Sequence, residues 1–265
     1  MSTLQIALLL LLCVVTYPCI LITEWAVRRG MFKPVYDVPV TPEQRRREIR
    51  NALRCTPLHP LAIAVCLLAG WLRVDESLPV VLASFAITFV WTEVYHYWLH
   101  RAMHLKWFHF THREHHLSRI TNAWTSVSFS VWEEFFFALG VVAFLAAISW
   151  IHPVSLYGIV AYYLLYFSTN TIGHANIEYN APGYADTLMG KLFTSSAYHA
   201  MHHARYINNY GLLTPFMDRL CGTEWSDSAQ VQTRAALGRP LTSTRERFDR
   251  EPVEAARPPL EKSPA

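Results

Sequence analysis

The sequence predicts an all-α integral membrane protein with four to five transmembrane helices, and three observations carry that reading. Of its 265 residues, 52% are hydrophobic, and they gather into long blocks that suit burial in lipid. Basic residues concentrate between the first two blocks. Histidines recur at spacings of three and four, which place side chains on one helical face.

The apolar blocks cover residues 4–22, 78–92, 135–151 and 154–169, with a shorter fifth at 61–72. Crossing the hydrocarbon takes about 20 helical residues, so only the first block suffices alone. The others must borrow flanking residues or be partly re-entrant. MSTLQ lacks a basic n-region and no small-residue cleavage site follows the first block, so it is expected to stay as an anchor. The five cysteines, Cys13, Cys19, Cys55, Cys66 and Cys221, are scattered and form neither a disulfide framework nor a CxxC zinc site. The functional parts are expected to face a reducing compartment.

Net charge is only +3, but its distribution sets a topology. Arg28, Arg29, Lys33, Arg45, Arg46, Arg47, Arg50 and Arg54 place the first loop in the cytoplasm. The N-terminus, residues 73–77 and residues 152–153 then lie outside, while 100–131 and everything after 170 lie inside. Every dense histidine group falls on one side. Thr41-Pro42-Glu43-Gln44 has the form of a capping box ahead of RRREIRNALR, predicting a basic interfacial helix that serves topology and anionic lipid rather than nucleic acid. Residues 225–265, rich in Pro, Arg, Ser and Glu, are expected to be disordered.

Most of the thirteen histidines fall into three groups: His100-x3-His104, His112-x2-His115-His116 and His199-x2-His202-His203. Each group can aim two or three imidazoles at one point, and neutral imidazole is the commonest protein metal ligand. A zinc site closes with four ligands, so eight histidines indicate two ions. The HExxH pattern of zinc proteases is absent. Glu93-x2-His96 supplies only one of the two ExxH copies that soluble di-iron bundles use. Imidazole suits iron, copper, nickel and zinc, so the ligand type alone leaves the metal open.

The run Tyr97-Trp98-Leu99-His100-Arg101-Ala102-Met103-His104 resembles the YWxHRxxH signature of the fatty acid hydroxylase and sterol desaturase superfamily. His112-Arg113-Glu114-His115-His116 is similar to its second histidine box, and His199-Ala200-Met201-His202-His203 to its third. Asn209-Tyr210-Gly211 and Met217-Asp218-Arg219-Leu220-Cys221-Gly222-Thr223 resemble its downstream NYG and WDxLFGT segments. The resemblance covers residues 75–224.

It implies an oxygenase with two Fe ions held by histidine boxes on a cytosolic helical cap, taking O2 as co-substrate and electrons from outside to hydroxylate or desaturate a membrane lipid. His100, His104, His112, His115, His116, His199, His202 and His203 take the ligand positions, and His174 matches a further histidine of the site. Asn170 stands where some members have another histidine, so its amide would bind directly or through water. His96 and His109 are expected to pack or hydrogen-bond around the ligands. Glu93, Glu114 and Asp218 are candidates to orient imidazoles through the second ring nitrogen, with only Asp218 in a family motif. His59 and His152 read as loop residues without partners. The aromatic runs around Phe136 and Tyr163 read as packing or interfacial residues more than as a lipid tunnel.

The resulting organisation is an anchor and basic loop over residues 1–57, a di-iron membrane oxygenase domain over 58–224 and the tail beyond. Two other classes compete with this reading. A non-redox zinc enzyme would use the same cluster, and a metal carrier would place ionisable ligands along its transmembrane helices. The chain lacks a GxGxxG fold, an iron–sulfur cysteine cluster and room for a haem domain. A separate ferredoxin or cytochrome-type donor with its reductase is therefore expected, attracted by Arg101, Lys106, Arg113, Arg119 and Arg205. Arg outnumbers Lys 19 to 4 and no KDEL ends the chain, which favours a bacterial inner membrane over the endoplasmic reticulum. No motif chooses among sterol, fatty acyl, sphingoid and related lipids.

Overall fold

The computed structural model describes residues 1–248. Helices α1 (Thr3–Val14) and α2 (Thr16–Arg28) run on from one another, α1 starting at a Ser2–Gln5 capping box. Pro18 has no N–H to donate back to Val14, which accounts for the break between them. Helix α3 (Pro42–Cys55) is capped by Thr41, whose hydroxyl accepts from the Gln44 N–H at 3.2 Å. It leads into α4 (Leu58–Leu68). Helix α5 (Leu78–Met103) is the longest unbroken one; about 20 of its 26 residues suffice for ~30 Å of hydrocarbon, so its last turns, with His100, project beyond it.

The cap follows with α6 (His109–His116) and a 3-10 turn over Ala123–Val127. Helices α7 (Val131–Ser149) and α8 (Leu156–His174) return to the bundle. Short helices α9 (Leu188–Leu192), α10 (Ser196–Arg205), α11 (Phe216–Cys221) and α12 (Ser228–Ala236) complete the cap.

Among the described residues, four helices are long and apolar enough to cross a membrane: Thr3–Arg28, Pro42–Leu68, Leu78–Met103 and Val131–Ser149. The shorter apolar block at 61–72 thus belongs to a span continuous with the basic helix. Helix α8, which carries the block at 154–169, is not one of the four. Its Tyr162, Tyr163, Tyr166, Ser168, Thr169 and Asn170 dilute the apolar character, and it packs centrally against α1, α2, α5 and α10. Gly158 permits that packing, because a Cβ there would meet the Val81 carbonyl oxygen of α5 at 2.3 Å. Leu12, Ile63, Leu145, Leu156, Ile159 and Tyr162 fill the bundle core.

The cap has its own core, and it overturns one expectation about the end of the chain. Strand β1 (Lys33–Pro34) pairs antiparallel with β2 (Ile177–Glu178), and Tyr36 bridges to Leu241. Val35 and Tyr36 pack with Ala197, Met201, Val231 and Leu241, all buried. Residues 226–248 are therefore ordered against the cap rather than a disordered tail. Burying side chains such as Val231 and Leu241 is worth about 1.5–3 kcal/mol each, which a count of polar residues does not register. The rest of the expected tail, 249–265, lies outside the described residues. Residues 1–57 likewise pack into the bundle and the cap.

Candidate metal centre

The C-terminal ends of two long helices and two short cap helices converge. His96, His100 and His104 lie at i, i+4 and i+8 along the end of α5; α6 supplies His112, His115 and His116, α10 supplies His199, His202 and His203, and His174 ends α8. The nitrogens sort into two groups. One atom from each of His100, His104, His112, His116 and His202 falls within 4.8 Å of the others, and the same holds for His115, His174, His199 and His203. All nine expected ligand histidines are thereby brought together, every one but half-buried His104 fully buried.

Hydrogen bonds fix how the rings face. Nδ1 of His100 contacts the Tyr210 carbonyl at 2.8 Å, His115 that of Ser128 at 3.3 Å, His174 that of Asn170 at 2.9 Å, His202 that of Asn208 at 2.7 Å and His203 that of Ser118 at 3.0 Å. A carbonyl only accepts, so each Nδ1 carries the proton and each Nε2 presents a bare lone pair. In His112 the acceptor is the Glu133 carboxylate at 2.6 Å.

Ring nitrogens then face one another, and in the His115–His174 pair both are bare. The Nε2 atoms of His115 and His174 are 3.4 Å apart, those of His174 and His199 2.9 Å, and those of His116 and His202 3.1 Å. With both Nδ1 protons of the His115–His174 pair already donated to carbonyls, no proton remains to join those Nε2 atoms. Two nitrogens each ~2.0–2.1 Å from one ion at 90–109° lie about 2.9–3.4 Å apart, so the spacing suits ligands that share a cation. The two all-nitrogen sets thus fit metal ions, one in each group.

Electrostatics agree. Burial, reinforced by neighbouring imidazoles, pushes His112, His116 and His199 well below the ordinary histidine range; burial first, then His203 and His174, does the same to His115. His202 and His203 are lowered too, chiefly by burial. These rings stay neutral, the form that binds metal.

Local backbone serves the site. Beyond α10 the chain turns back through Tyr206, Asn208 and Asn209 at φ 74°, 65° and 52°, which delivers the Asn208 carbonyl to His202. A left-handed tyrosine is costly, and its hydroxyl is held to Nδ1 of His109 at 2.6 Å. His109 therefore secures that turn and joins neither group.

The supporting residues differ from expectation. Glu93 accepts from the Thr214 N–H at 2.8 Å and hydroxyl at 2.6 Å, and Glu114 from Asn51 at 3.2 Å; neither touches an imidazole. Asp218 accepts from the Tyr210 and Gly211 N–H groups at 2.9 and 2.6 Å, so it reaches His100 only through the Tyr210 carbonyl. The Asn170 side chain donates to the Ser126 carbonyl at 2.7 Å and stands outside both groups, while its own carbonyl orients His174. His96 packs against His100 and Phe137, its two buried ring nitrogens without protein partners. His59 is not partnerless, since its Nδ1 lies 2.5 Å from the Glu134 carboxylate.

Sequence reasoning missed Glu133. It occupies the first turn of α7, where acids are common because they complement the helix dipole, so nothing in WEEFFF marked it as buried against His112. The carbonyls of Ser118, Ser128, Asn208 and Tyr210 had no side-chain signal at all.

Residues 85–223, more than half of the chain, match the fatty acid hydroxylase family. Among curated proteins, very-long-chain aldehyde decarbonylase GL1-6 of Oryza sativa subsp. indica is 30% identical over 154 residues, 56% of this chain and 24% of its own length. GL1-4 of the same description and source is 32% identical over 151 residues, 55% and 24% of the two chains. Very-long-chain aldehyde decarbonylase CER1 of Arabidopsis thaliana is 31% identical over 137 residues, 49% and 21%. The chain spans about a quarter of the length of these relatives. No solved structure matches it. With its histidine motifs folded into two imidazole groups inside the matched region, the chain belongs to the fatty acid hydroxylase family.

Proposed function

We propose that the chain is a membrane-bound non-haem di-iron oxygenase that hydroxylates or desaturates a lipid with O2 and externally supplied electrons. The observation that carries this reading is the pair of buried imidazole groups, five and four strong, at the ends of apolar helices. His100, His104, His112, His116 and His202 would hold one iron, and His115, His174, His199 and His203 the other. When bound, the two irons supply O2 activation and the oxidation of an unactivated C–H bond. The protein's residues do the rest. Carbonyls and Glu133 hold six Nδ1 protons outward, burial keeps water away, and the absence of thiolates among the ligands spares the site from oxidising itself.

The substrate is a bilayer lipid; very-long-chain aldehydes, for which the relatives are named, join the sterols and fatty acyl chains as candidates. The site faces the cytoplasm, by the positive-inside distribution of Arg and Lys, and the membrane is a bacterial inner membrane, a reading supported by the excess of Arg over Lys. A ferredoxin or cytochrome-type donor docks on the cap, where Lys106, Arg113 and Arg119 are exposed. Arg205 does not contribute, because it is buried in a bidentate pair with Asp227 at 2.6 and 2.8 Å.

The test is anaerobic purification, metal analysis and reconstitution in lipid. Iron-loaded protein should consume O2 and oxidise lipid only when a reductase and donor are added, at a rate that falls as salt rises. Sustained turnover by zinc-loaded protein without an electron source would replace this reading with the non-redox one.

A further inference from the structure

Two cavities meet end to end between the α3–α4 span and α7, and none of the nine clustered histidines lines either of them. The first, of about 250 Å³, takes its polar wall from Arg50, Asn51, Arg54 and Cys55 of α3 together with Glu114 and Ser130. The second, of about 560 Å³, follows the seam of α4 and α7 from Leu58 and Val131 to Trp71 and Ala146 and carries no charged side chain. Val131 lines both, so the two are continuous, and the apolar part alone runs about 22 Å along α7, most of the hydrocarbon thickness.

Most polar groups of the first cavity are engaged by the protein itself. Asn51 donates to Glu114 at 3.2 Å, the Cys55 thiol to the Phe129 carbonyl at 3.4 Å and the Ser130 hydroxyl to the Thr111 carbonyl at 2.5 Å. Glu114 is paired with Arg47 at 3.6 Å, and the first-turn acids of α7 turn inward, Glu133 to His112 and Glu134 to His59. What remains are the guanidiniums of Arg50 and Arg54, one turn apart on α3, exposed, and without an ion-pair partner among the described residues. Beyond them the groove has exposed rims, Leu61 and Val65 on α4 and Phe135 and Leu139 on α7, over a floor lowered by the small side chains of Ala62 and Ala138.

We propose that this composite site binds one anionic glycerophospholipid, its phosphate held by Arg50 and Arg54 and one acyl chain laid in the groove between α4 and α7. Any bilayer lipid wets an apolar groove, and the charge at its head end does the selecting. Guanidinium forks match phosphate oxygens, and two unpaired positive charges favour a lipid of net negative charge over a zwitterionic one, whose cationic group they repel. At ~30 Å³ for each water-sized group, the groove takes about 18 methylenes, one acyl chain rather than two. The second chain lies in the surrounding bilayer. The site is separate from the metal centre, and its occupant does not depend on the reaction performed there.

The test is native mass spectrometry of the full-length protein in detergent, titrated with phosphatidylglycerol and, in parallel, with phosphatidylcholine of the same acyl chains. The parent should retain one phosphatidylglycerol at concentrations about tenfold below those needed for phosphatidylcholine. Arg50→Gln combined with Arg54→Gln should abolish that preference, weakening phosphatidylglycerol by about tenfold and phosphatidylcholine little. Arg28→Gln combined with Arg29→Gln removes two exposed charges at the end of α2, outside the cavity, and should change neither lipid. Ala143→Trp fills the groove from an exposed position and should weaken both lipids alike, by roughly tenfold. If that variant does not fold, phosphatidylglycerol with butyryl chains, too short for the groove, replaces it and should bind the parent about tenfold more weakly than the long-chain lipid. A parent without headgroup preference, or equal losses in the two arginine pairs, would reduce the site to general attraction between basic residues and anionic lipid and overturn the assignment. Undiminished binding in folded Ala143→Trp, or of the butyryl lipid, would remove the acyl chain from the groove and overturn it as well.

Discussion

Glu133→Ala isolates one support of the centre. The carboxylate is fully buried and accepts from Nδ1 of His112 at 2.6 Å, while Nε2 of the same ring belongs to the five-histidine group. Removing it leaves a buried N–H without an acceptor, at a cost of about 1–3 kcal/mol. Partners of this kind typically carry about 10–100-fold in metal affinity, equivalent to ~1.4–2.7 kcal/mol. The first figure is a loss of fold stability, and the second, which the chelator assay reads, reflects the freedom His112 regains to turn its lone pair away. Competition with a chelator, followed by metal counting, should show the variant losing one ion at chelator concentrations roughly 10–100-fold below those needed for the parent. The second ion, bound by His115, His174, His199 and His203, should be retained. Glu133→Gln keeps an acceptor oxygen and should lose less. Glu93→Gln, whose carboxylate serves Thr214 instead, should change nothing. Unaltered affinity in Glu133→Ala would refute the claim that this contact orients a ligand.

The remaining expectations concern the same assembly. His116→Ala should unload one group and His203→Ala the other; if either variant alone emptied both, the groups would be a single coupled centre. Because burial lowers the pKa values of His112, His115, His116, His199, His202 and His203, metal affinity should be nearly flat from pH 8 to pH 6. Four exposed imidazoles titrating near ~6.5 would lose affinity by roughly a few hundredfold over that range, and a loss of that size would contradict burial of the neutral rings. His59→Ala strips Glu134 of its partner and should lower the thermal unfolding midpoint by the equivalent of about 1–3 kcal/mol with both ions kept. Loss of metal in that variant would tie His59 to the centre instead. Cysteine reporters near residues 50, 120 and 230 should label from the cytoplasm and one near 152 from outside; labelling of residue 120 from outside would invert the proposed topology.

What was legible in the sequence was what side chains announce. Spacings of three and four bring His100 and His104 together, and His112 with His116, but His115 turns to the other cluster and His202 parts from His199 and His203, so the second and third groups serve two points rather than one. Long apolar runs marked the bundle, although α8 hid its central place behind tyrosines and hydroxyls that a hydropathy window reads as polar. What stayed illegible was supplied by folded backbone. The carbonyls that set His100, His115, His202 and His203 look alike in every sequence, and only the turns at residues 118, 128, 208 and 210 aim them. Acidic residues misled for a related reason: a carboxylate near a histidine in sequence, such as Glu114, need not share its face, whereas Glu133 reaches His112 across two helices.

Helix α3 of the N-terminal segment is tied to the centre by side-chain hydrogen bonds. Glu48 of α3 is fully buried and accepts from Gln44 at 2.9 Å, Ser118 at 2.6 Å, Asn122 at 2.6 Å and Thr125 at 2.9 Å. Three of those donors belong to the loop between α6 and α7, and a buried carboxylate is tolerable only when so many donors meet it. That loop carries the carbonyl of Ser118, which holds His203, and the carbonyl of Ser128, which holds His115. Asn51, one turn beyond Glu48, also reaches the Ser128 hydroxyl at 3.4 Å. Helix α3, whose arginines suggested no more than topology, therefore sets two rings of the four-histidine group from behind. The basic helix on one side of residue 57 thus orients ligands on the other through the loop they share.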